Sequence, residues 1–500
     1  MRTIVLFGAG KSSTYLIEYL MRRAAKENWR LIVIDSHLEL VLEKLKEFDG
    51  ATALSFDVLD EQLRRQYIQL ADLVISLMPP ALHYLIAGDC ISFRKHLLTA
   101  SYVDQQLKEM HNSVASEGIL FLCEMGLDPG IDHMSAMHII DSIHRENGTI
   151  NSFFSCCGGL VAPESDDNPW HYKISWNPKN LVNAGKQGAR YQQNGRIEEI
   201  TYNHIFSERK YIKVVNDQPY CWYPNRDSIP YMQLYNLRDC TSFIRATLRH
   251  PDFMYGWKNV VDLRLTDESL FYDTDDRTLK EFFKEHMDSN NFGKWLEQKL
   301  QQQLEETNGL LKNLVKLVEK HEHAESSDID DELMLVNEKG DLEEIDIDDL
   351  KTNAAAVIAA RMHDSKLTLQ QLFYLGLDDD KTIINKGKCS AADVLQFALE
   401  KKLALKQGDR DMVLMQHKIG YHQQGKEKLL TSTLVVKGED EMKTAMAKCV
   451  GLPLAIAAKL ILNGHLQLTG IHIPIREEIY KPILQELAEH NIQFTEIHEQ

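Results

Sequence analysis

The chain has no apolar run long enough to cross a bilayer, no excess of basic residues and no paired Cys-x-x-Cys spacing. Each absence excludes something. A membrane-spanning helix needs roughly 20 mostly apolar residues in a row, so no membrane partner is expected. The N-terminus enters a strand pattern, Thr3–Phe7, at once rather than a secretory leader. A formal net charge of −18 over 500 residues argues against nucleic acid as a partner. Eight cysteines without a framework of spacings, Cys156 and Cys157 being adjacent, fit reduced thiols and a cytoplasmic setting. His321-Glu322-His323 lacks the spacing that puts two histidines on one helix face, so no metal is expected.

What is present implies more than one domain, since 500 residues exceed a single ordinary core. Much of the negative charge is local: the segment 325–349 carries twelve acids against one base, Lys339. It follows a long helical pattern from about Thr278 to Lys320 and reads as a solvated insertion with no chemistry of its own.

The first forty residues form a strand–turn–helix–strand pattern. Thr3–Phe7 is followed by the turn Gly8-Ala9-Gly10-Lys11-Ser12-Ser13, then by Tyr15, Leu16, Tyr19 and Leu20 at helical spacing. A second strand, Leu31–Ile34, ends at Asp35. In this context the glycines let the backbone approach a pyrophosphate, and the helix N-terminus offers free N–H groups. Ser13 stands where the fingerprint has its third glycine, which leaves an ordinary tight turn as the alternative. Asp35 stands where a carboxylate accepts from ribose hydroxyls and repels a 2′-phosphate, favouring NAD over NADP. A further strand, Leu73–Ser76, runs into a loop through Leu77, Pro79 and Pro80 that would bracket the cofactor. His96–Ala100 delivers Ser101 and Tyr102 to the same edge.

Ile119–Leu122 precedes Met125-Gly126-Leu127-Asp128-Pro129-Gly130-Ile131-Asp132-His133, where an open α/β sheet presents its ligand crevice. A carboxylate in an Asp-Pro-Gly turn sits on stiffened backbone, and partial burial there raises its pKa toward neutrality. Downstream, Ile150–Gly159 reads as a strand that breaks at Gly158-Gly159. A polar loop follows, and later Arg226, Arg245 and Arg249. Guanidinium forks suit small carboxylate ligands; taken singly, each arginine also fits surface or interdomain ion pairing.

In this order the motifs resemble saccharopine reductase, the glutamate-forming saccharopine dehydrogenase family. The matching blocks are Thr99–Val103, Gly126–His133, Cys157–Leu160 with Ala162–Ser165, Tyr223–Ser228, Thr247–Arg249, Asp409–His417 and Ala445–Pro453. The resemblance implies an α/β fold of three parts. A Rossmann dinucleotide-binding domain would span 1–130, with a C-terminal return at about 475–500. A mixed α+β substrate-binding and dimerisation domain would span 131–265 and 407–474. An inserted helical domain would span 266–406.

The implied reaction is oxidation of the secondary amine of saccharopine by NAD(P)+, with hydrolysis of the imine to glutamate and 2-aminoadipate semialdehyde, or the reverse, in a homodimer. Implied cofactor contacts are Gly8, Gly10, Lys11, Ser12, Ser13, Asp35, Asp57, Ser76, Leu77, Pro79, Leu127 and Ser175. Implied substrate contacts are Ser101, Tyr102, Asp128, Lys173, Arg226, Thr247, Leu248 and Arg249. Asp128 leads for proton transfer, ahead of Tyr102 and Cys157; Cys157 reads equally as a small core residue. Family members that use NADP carry a basic residue after the second strand, where this chain has Asp35-Ser36-His37. Two rivals are a carboxynorspermidine-type dehydrogenase and an NAD(H)-binding sensor without turnover. A cationic polyamine would want acids where Arg226 and Arg249 stand, and a sensor has no need of carboxylate clamps.

Overall fold

The strand Arg2–Phe7 (β1) has Ile4, Val5, Leu6 and Phe7 fully buried, the continuous apolar run of a strand covered on both faces. In the computed structural model it lies in the interior of a seven-stranded sheet. The described residues are 1–215, 218–302 and 363–499, with 305, 309, 312 and the short ladder Met334–Val336 on Leu342–Glu344. Apart from that ladder, the acidic segment 325–349 lies outside the described residues.

The strands that follow are Trp29–Asp35 (β2), Thr52–Ser55 (β3), Leu73–Ser76 (β4), His96–Thr99 (β5) and Leu120–Leu122 (β6). All pair in parallel, in the order Gly470–His472, β6, β5, β4, β1, β2, β3. This is the doubly wound Rossmann order, and its direction of winding reverses between β1 and β4, where a crevice opens beyond the carboxyl ends. Gly8 follows β1 there with φ +101°, and a Cβ on it would lie 3.1 Å from Leu77 carbonyl oxygen. Only glycine suits both the backbone and the close approach.

A second, ten-stranded mixed sheet is built on the strand Thr149–Val161 (β7). It pairs in parallel with Ser242–Arg249 and antiparallel with Asp411–Gln423, which turns back as Lys426–Lys437. Gln424 and Gly425, both at positive φ, make the two-residue turn. The expected break at Gly158-Gly159 does not occur: β7 runs through both glycines to Val161. They serve close packing instead, since a Cβ on Gly158 would lie 2.6 Å from Leu248 carbonyl oxygen and one on Gly159 would strike Met446.

The strand that rejoins the parallel sheet lies before the expected return of 475–500, in the stretch expected to belong to the substrate-binding domain. Gly470–His472 extends the parallel sheet beside β6, whereas Thr495–Glu499 pairs with Lys426–Lys437 in the mixed sheet. Both sheets belong to one unit, Met1–Asp167, His171–Pro251 and Leu403–Gln500. The second unit, Asn168–Trp170 and Asp252–Lys402, includes the helices Leu279–Ser289 and Ala391–Lys402 and the ladder of Phe271–Asp273 on Lys388–Ser390.

Against the expectation from the sequence, one apolar run is long enough to cross a bilayer. The helix Ala445–Leu462 has 18 residues and a mean hydropathy of 1.8, enough by length and composition to cross a membrane. Its side chains instead fill the core of the first unit, packed against the helix Thr14–Glu27 (α1) that follows the glycine turn. Gly451 makes that contact, a Cβ there lying 2.8 Å from Leu16 N. Gly451→Ala is therefore expected to lower the thermal midpoint, at a cost of about 1–3 kcal/mol for overpacking. Gly88→Ala, in the helix His83–Phe93 with open space around it, is expected to raise it by about 0.5–1 kcal/mol. Differential scanning calorimetry of the two variants checks the opposite signs.

Candidate active site

At the turn after β1, Gly10 has nothing within 4 Å of the position a Cβ would take, so the backbone is open on that side. A short helical turn, Lys11–Ser13, leads into α1, and no side chain among the described residues caps it. Asp35, at the end of β2, accepts from Ala9 N (2.8 Å) and His37 N (3.1 Å), which holds the loop and the carboxylate together. Lys11 Nζ donates to Ile174 O at 3.0 Å, tying this turn to the segment that carries Lys173 and Ser175. Backbone room at Gly10, amides at the helical turn and a carboxylate at the β2 end fit a dinucleotide, which Gly10–Ser13 and Asp35 would hold.

The other implied cofactor residues are scattered in exposure and contact. Leu77 lies against Gly8, Pro79 is exposed just beyond it, and Asp57 is exposed after β3, accepting from Leu59 N. Leu127 is buried in the core. Ser76 is buried and bonded to His83, and Ser175 is buried and bonded to Asp411.

The second cluster lies where the loops after β5 and β6 meet the face of the mixed sheet. Gly130, at φ +149°, presses on Gly126 so closely that no Cβ fits. This tight turn leads directly into the helix Ile131–Arg145. Asp132, in its first turn, accepts from Gly130 N at 2.6 Å. Arg245, on the strand Ser242–Arg249, donates from Nη2 to Asp128 Oδ1 (2.9 Å) and to Asp132 Oδ2 (2.7 Å). Tyr102 OH also donates to Asp128 Oδ1, at 3.1 Å. The Arg245 guanidinium lies 4.4 Å over the Tyr231 ring, and that of Arg226 lies 4.7 Å over the Tyr102 ring. Behind them Glu124 accepts from Tyr231 OH (3.1 Å) and pairs with His133 Nε2 (2.8 Å), while His133 Nδ1 meets Tyr235 OH (2.5 Å).

Burial and the neighbouring Asp132 charge raise the Asp128 carboxyl above the usual range, against the pull of Arg245. Asp132 is also buried, but His133, Arg245 and the Gly130 amide outweigh burial and hold it low. Asp128 is thus the member of the pair that takes up a proton. Burial, then Asp128, pushes the Tyr102 phenol well up; Cys157 is raised by burial and by both carboxylates. Neither supplies an anion near neutral pH.

Several sequence-derived candidates meet this cluster and others do not. Thr247 shares the face of Arg245 and pairs with Cys157 in register. Ser101 sits just past β5, bonded to His83. Leu248 points into the core. Arg249 is buried, donating to Leu248 O, with its guanidinium 5.4 Å over Tyr172. Lys173 is held by Asp409 (2.7 Å) and Asp167 (2.9 Å). Arg226 is exposed, its Nη1 donating to Gln187 at 3.1 Å.

For Arg245 the surface reading is corrected: it is 3% exposed and centres the cluster. Its signal was the period of two across Arg245, Thr247 and Arg249, which puts all three on one strand face. Asp132 and His133 stand in the Gly126–His133 stretch without a signal of their own, and Glu124, Tyr231 and His83 lie in segments without a chemical pattern.

Two family models account for nearly the whole chain: the saccharopine dehydrogenase NADP binding domain over residues 4–122 and the saccharopine dehydrogenase C-terminal domain over residues 126–492. The chain belongs to the saccharopine dehydrogenase family. It is 29% identical over 497 residues to saccharopine dehydrogenase [NADP(+), L-glutamate-forming] of Schizosaccharomyces pombe, with 99% of each chain covered. It is 31% identical over 504 residues to the mitochondrial alpha-aminoadipic semialdehyde synthase of Bos taurus, covering 99% of this chain and 47% of that protein. The chain thus spans about half the length of the synthases it matches. A solved structure of saccharopine dehydrogenase (L-Glu forming) from Saccharomyces cerevisiae aligns over 100% of both chains with a TM-score of 0.76 and 28% identity.

The raised Asp128 carboxyl has a consequence for stability. A carboxyl whose folded pKa exceeds its unfolded value contributes stability at low pH that is lost as pH rises through the folded value. Asp128→Asn keeps an acceptor for Tyr102 and Arg245 but never ionises. Its thermal midpoint is expected to gain on the wild type as pH rises from the carboxylate range to about 8, as thermal scans across pH would show.

Proposed function

We propose that this chain oxidises the secondary amine of saccharopine with NAD(P)+ and hydrolyses the resulting imine to L-glutamate and 2-aminoadipate 6-semialdehyde, or runs the reverse. The observation that carries this reading is the meeting of Asp128 and Tyr102, from the edge of the dinucleotide-binding sheet, with Arg245 and Arg226 from the second sheet. The end-to-end match to fungal enzymes of that name supports the same substrate.

With Asp128 and Asp132 ionised, the triad with Arg245 carries one net negative charge, suited to a secondary ammonium. Asp128 Oδ1 is engaged by Tyr102 and Arg245, so the proton passes from the amine to Oδ2. The bound dinucleotide supplies the hydride acceptor. Loss of hydride from the adjacent carbon leaves the C=N bond. Asp128, returned to carboxylate by releasing its proton to solvent, then takes a proton from attacking water and passes it to the nitrogen of the resulting carbinolamine; the hydroxyl gives up its proton to Asp128 as C=O forms, and the C–N bond breaks with glutamate as the leaving amine. Arg226, exposed and stacked on Tyr102, is the carboxylate clamp; Ser101 and Thr247 complete the polar lining. Arg249 and Lys173 are already engaged, the one over Tyr172 and the other with Asp409.

Asp35 gives the reading a coenzyme preference. Its carboxylate stands at the end of β2, where a 2′-phosphate would meet a like charge, so NAD+ is preferred although the fungal relatives are named for NADP(+). We further propose a homodimer in the cytoplasm; the mixed sheet ends in Thr495–Glu499, a strand exposed along its length.

Spectrophotometric assay with saccharopine should show turnover with both nucleotides and a higher kcat/KM with NAD+. Asp35→Ser should shift the ratio toward NADP+ by roughly tenfold, the factor that 1.4 kcal/mol represents. No turnover by folded protein that binds NADH contradicts the reaction; a wild-type preference for NADP+ contradicts the role of Asp35 alone. Arg226→Ala should raise the KM for saccharopine about 10- to 100-fold, as loss of a charged hydrogen bond implies, with nucleotide affinity unchanged. An unchanged KM would remove Arg226 from the site.

A further inference from the structure

His83 has no part in the chemistry above, yet it joins two strand ends at the site. It begins the helix His83–Phe93 and is 2% exposed. Its Nδ1 lies 2.8 Å from Ser76 Oγ, the last residue of β4, and its Nε2 lies 2.8 Å from Ser101 Oγ, just past β5. Thr99 Oγ1 is 3.3 Å from the same Nε2 and accepts Ser101 N–H at 3.2 Å. Ser76 and Thr99 are fully buried; Ser101 is the half-buried member of the group.

Burial lowers the His83 pKa to about 4, with Asp104 pulling the other way, so the ring is neutral at working pH. A neutral imidazole has one donor nitrogen and one acceptor. Were Nε2 the acceptor, the hydroxyls of Ser101 and Thr99 would compete for its single lone pair. As a donor, Nε2–H points between two hydroxyl oxygens that can both accept, and Ser76 O–H donates to Nδ1. The second arrangement satisfies more groups.

We propose that His83 is a positioning residue whose Nε2–H donates to Ser101 Oγ, turning the serine's own proton outward as a donor to a substrate carboxylate. The oxygen is held from behind, which fixes the direction of the hydroxyl before substrate arrives. The proposal rests on the reading of Ser101 as a substrate contact.

Two measurements on the full chain test it. In nitrogen-15 spectra of histidine-labelled protein, with His83→Gln supplying the assignment, the His83 ring should show a protonated Nε2 and a bare Nδ1 across about pH 6–8. A protonated Nδ1, or an imidazolium, overturns the arrangement. In steady-state kinetics, His83→Ala and Ser101→Ala should each raise the KM for saccharopine about tenfold with a much smaller change in kcat. The double variant should be no worse than Ser101→Ala, since one acts through the other. His83→Gln, whose amide N–H can take the place of Nε2–H, should recover most of the loss. Additive effects, or no rescue by a folded His83→Gln, reduce His83 to a packing role and overturn the proposal. Failure of the functional reading has a different signature: wild-type silence with saccharopine while the ring spectrum keeps the Nε2–H form.

Discussion

Arg245 is a buried cation held between the buried Asp132 and the half-buried Asp128, and the geometry of the site depends on it. A charge taken out of water is costly unless it is paired and hydrogen-bonded. Here one guanidinium nitrogen reaches Asp128 and Asp132, while the ring of Tyr231 covers the guanidinium plane. These contacts bind the mixed sheet to the Asp-Pro-Gly turn beyond β6 and to the first turn of the helix Ile131–Arg145. Removing one partner of such a set leaves an unpaired charge, typically at a cost of about 3–5 kcal/mol. The ion network therefore sets the position of Asp128 rather than merely adding stability.

The same network divides labour between two similar side chains. Asp132 is stabilised as an anion by His133, Arg245 and a backbone amide, against the cost of burial. Asp128 has a weaker set of partners and feels the charge of Asp132, so it holds the movable proton. Two carboxylates four residues apart thus acquire different chemistry from their surroundings alone. The Glu124–His133 pair behind them, closed by Tyr231 and Tyr235, gives the charged set a satisfied polar backing inside an apolar core.

Much of this was legible in the residues, for reasons that can be named. The run Ile4–Phe7 followed by Gly8-Ala-Gly10 is a local signal, because strand, turn and helix N-terminus adjoin in sequence. Asp35 follows from the same pattern, and Asp128 from its turn at a strand end. The mixed sheet was harder, since its pairings join β7 to strands about 90 and 260 residues later and no local pattern encodes such partners. Gly158 and Gly159 read as a break because glycine weakens strands; the close approach of Leu248 and Met446 that requires them is a tertiary fact. Arg245, one of three arginines suited to a carboxylate or an ion pair, and His83, a histidine without a local signal, take their roles only from partners 113 and 18 residues away.

The most direct test is a crystal structure of the chain with NADH and saccharopine bound. The account requires the secondary amine to lie within hydrogen-bond reach of Asp128 Oδ2, roughly 2.6–3.2 Å, with Arg245 still bridging Asp128 and Asp132 and a substrate carboxylate on Arg226. An amine seated away from Asp128, with that carboxyl still locked between Tyr102 and Arg245, would contradict it.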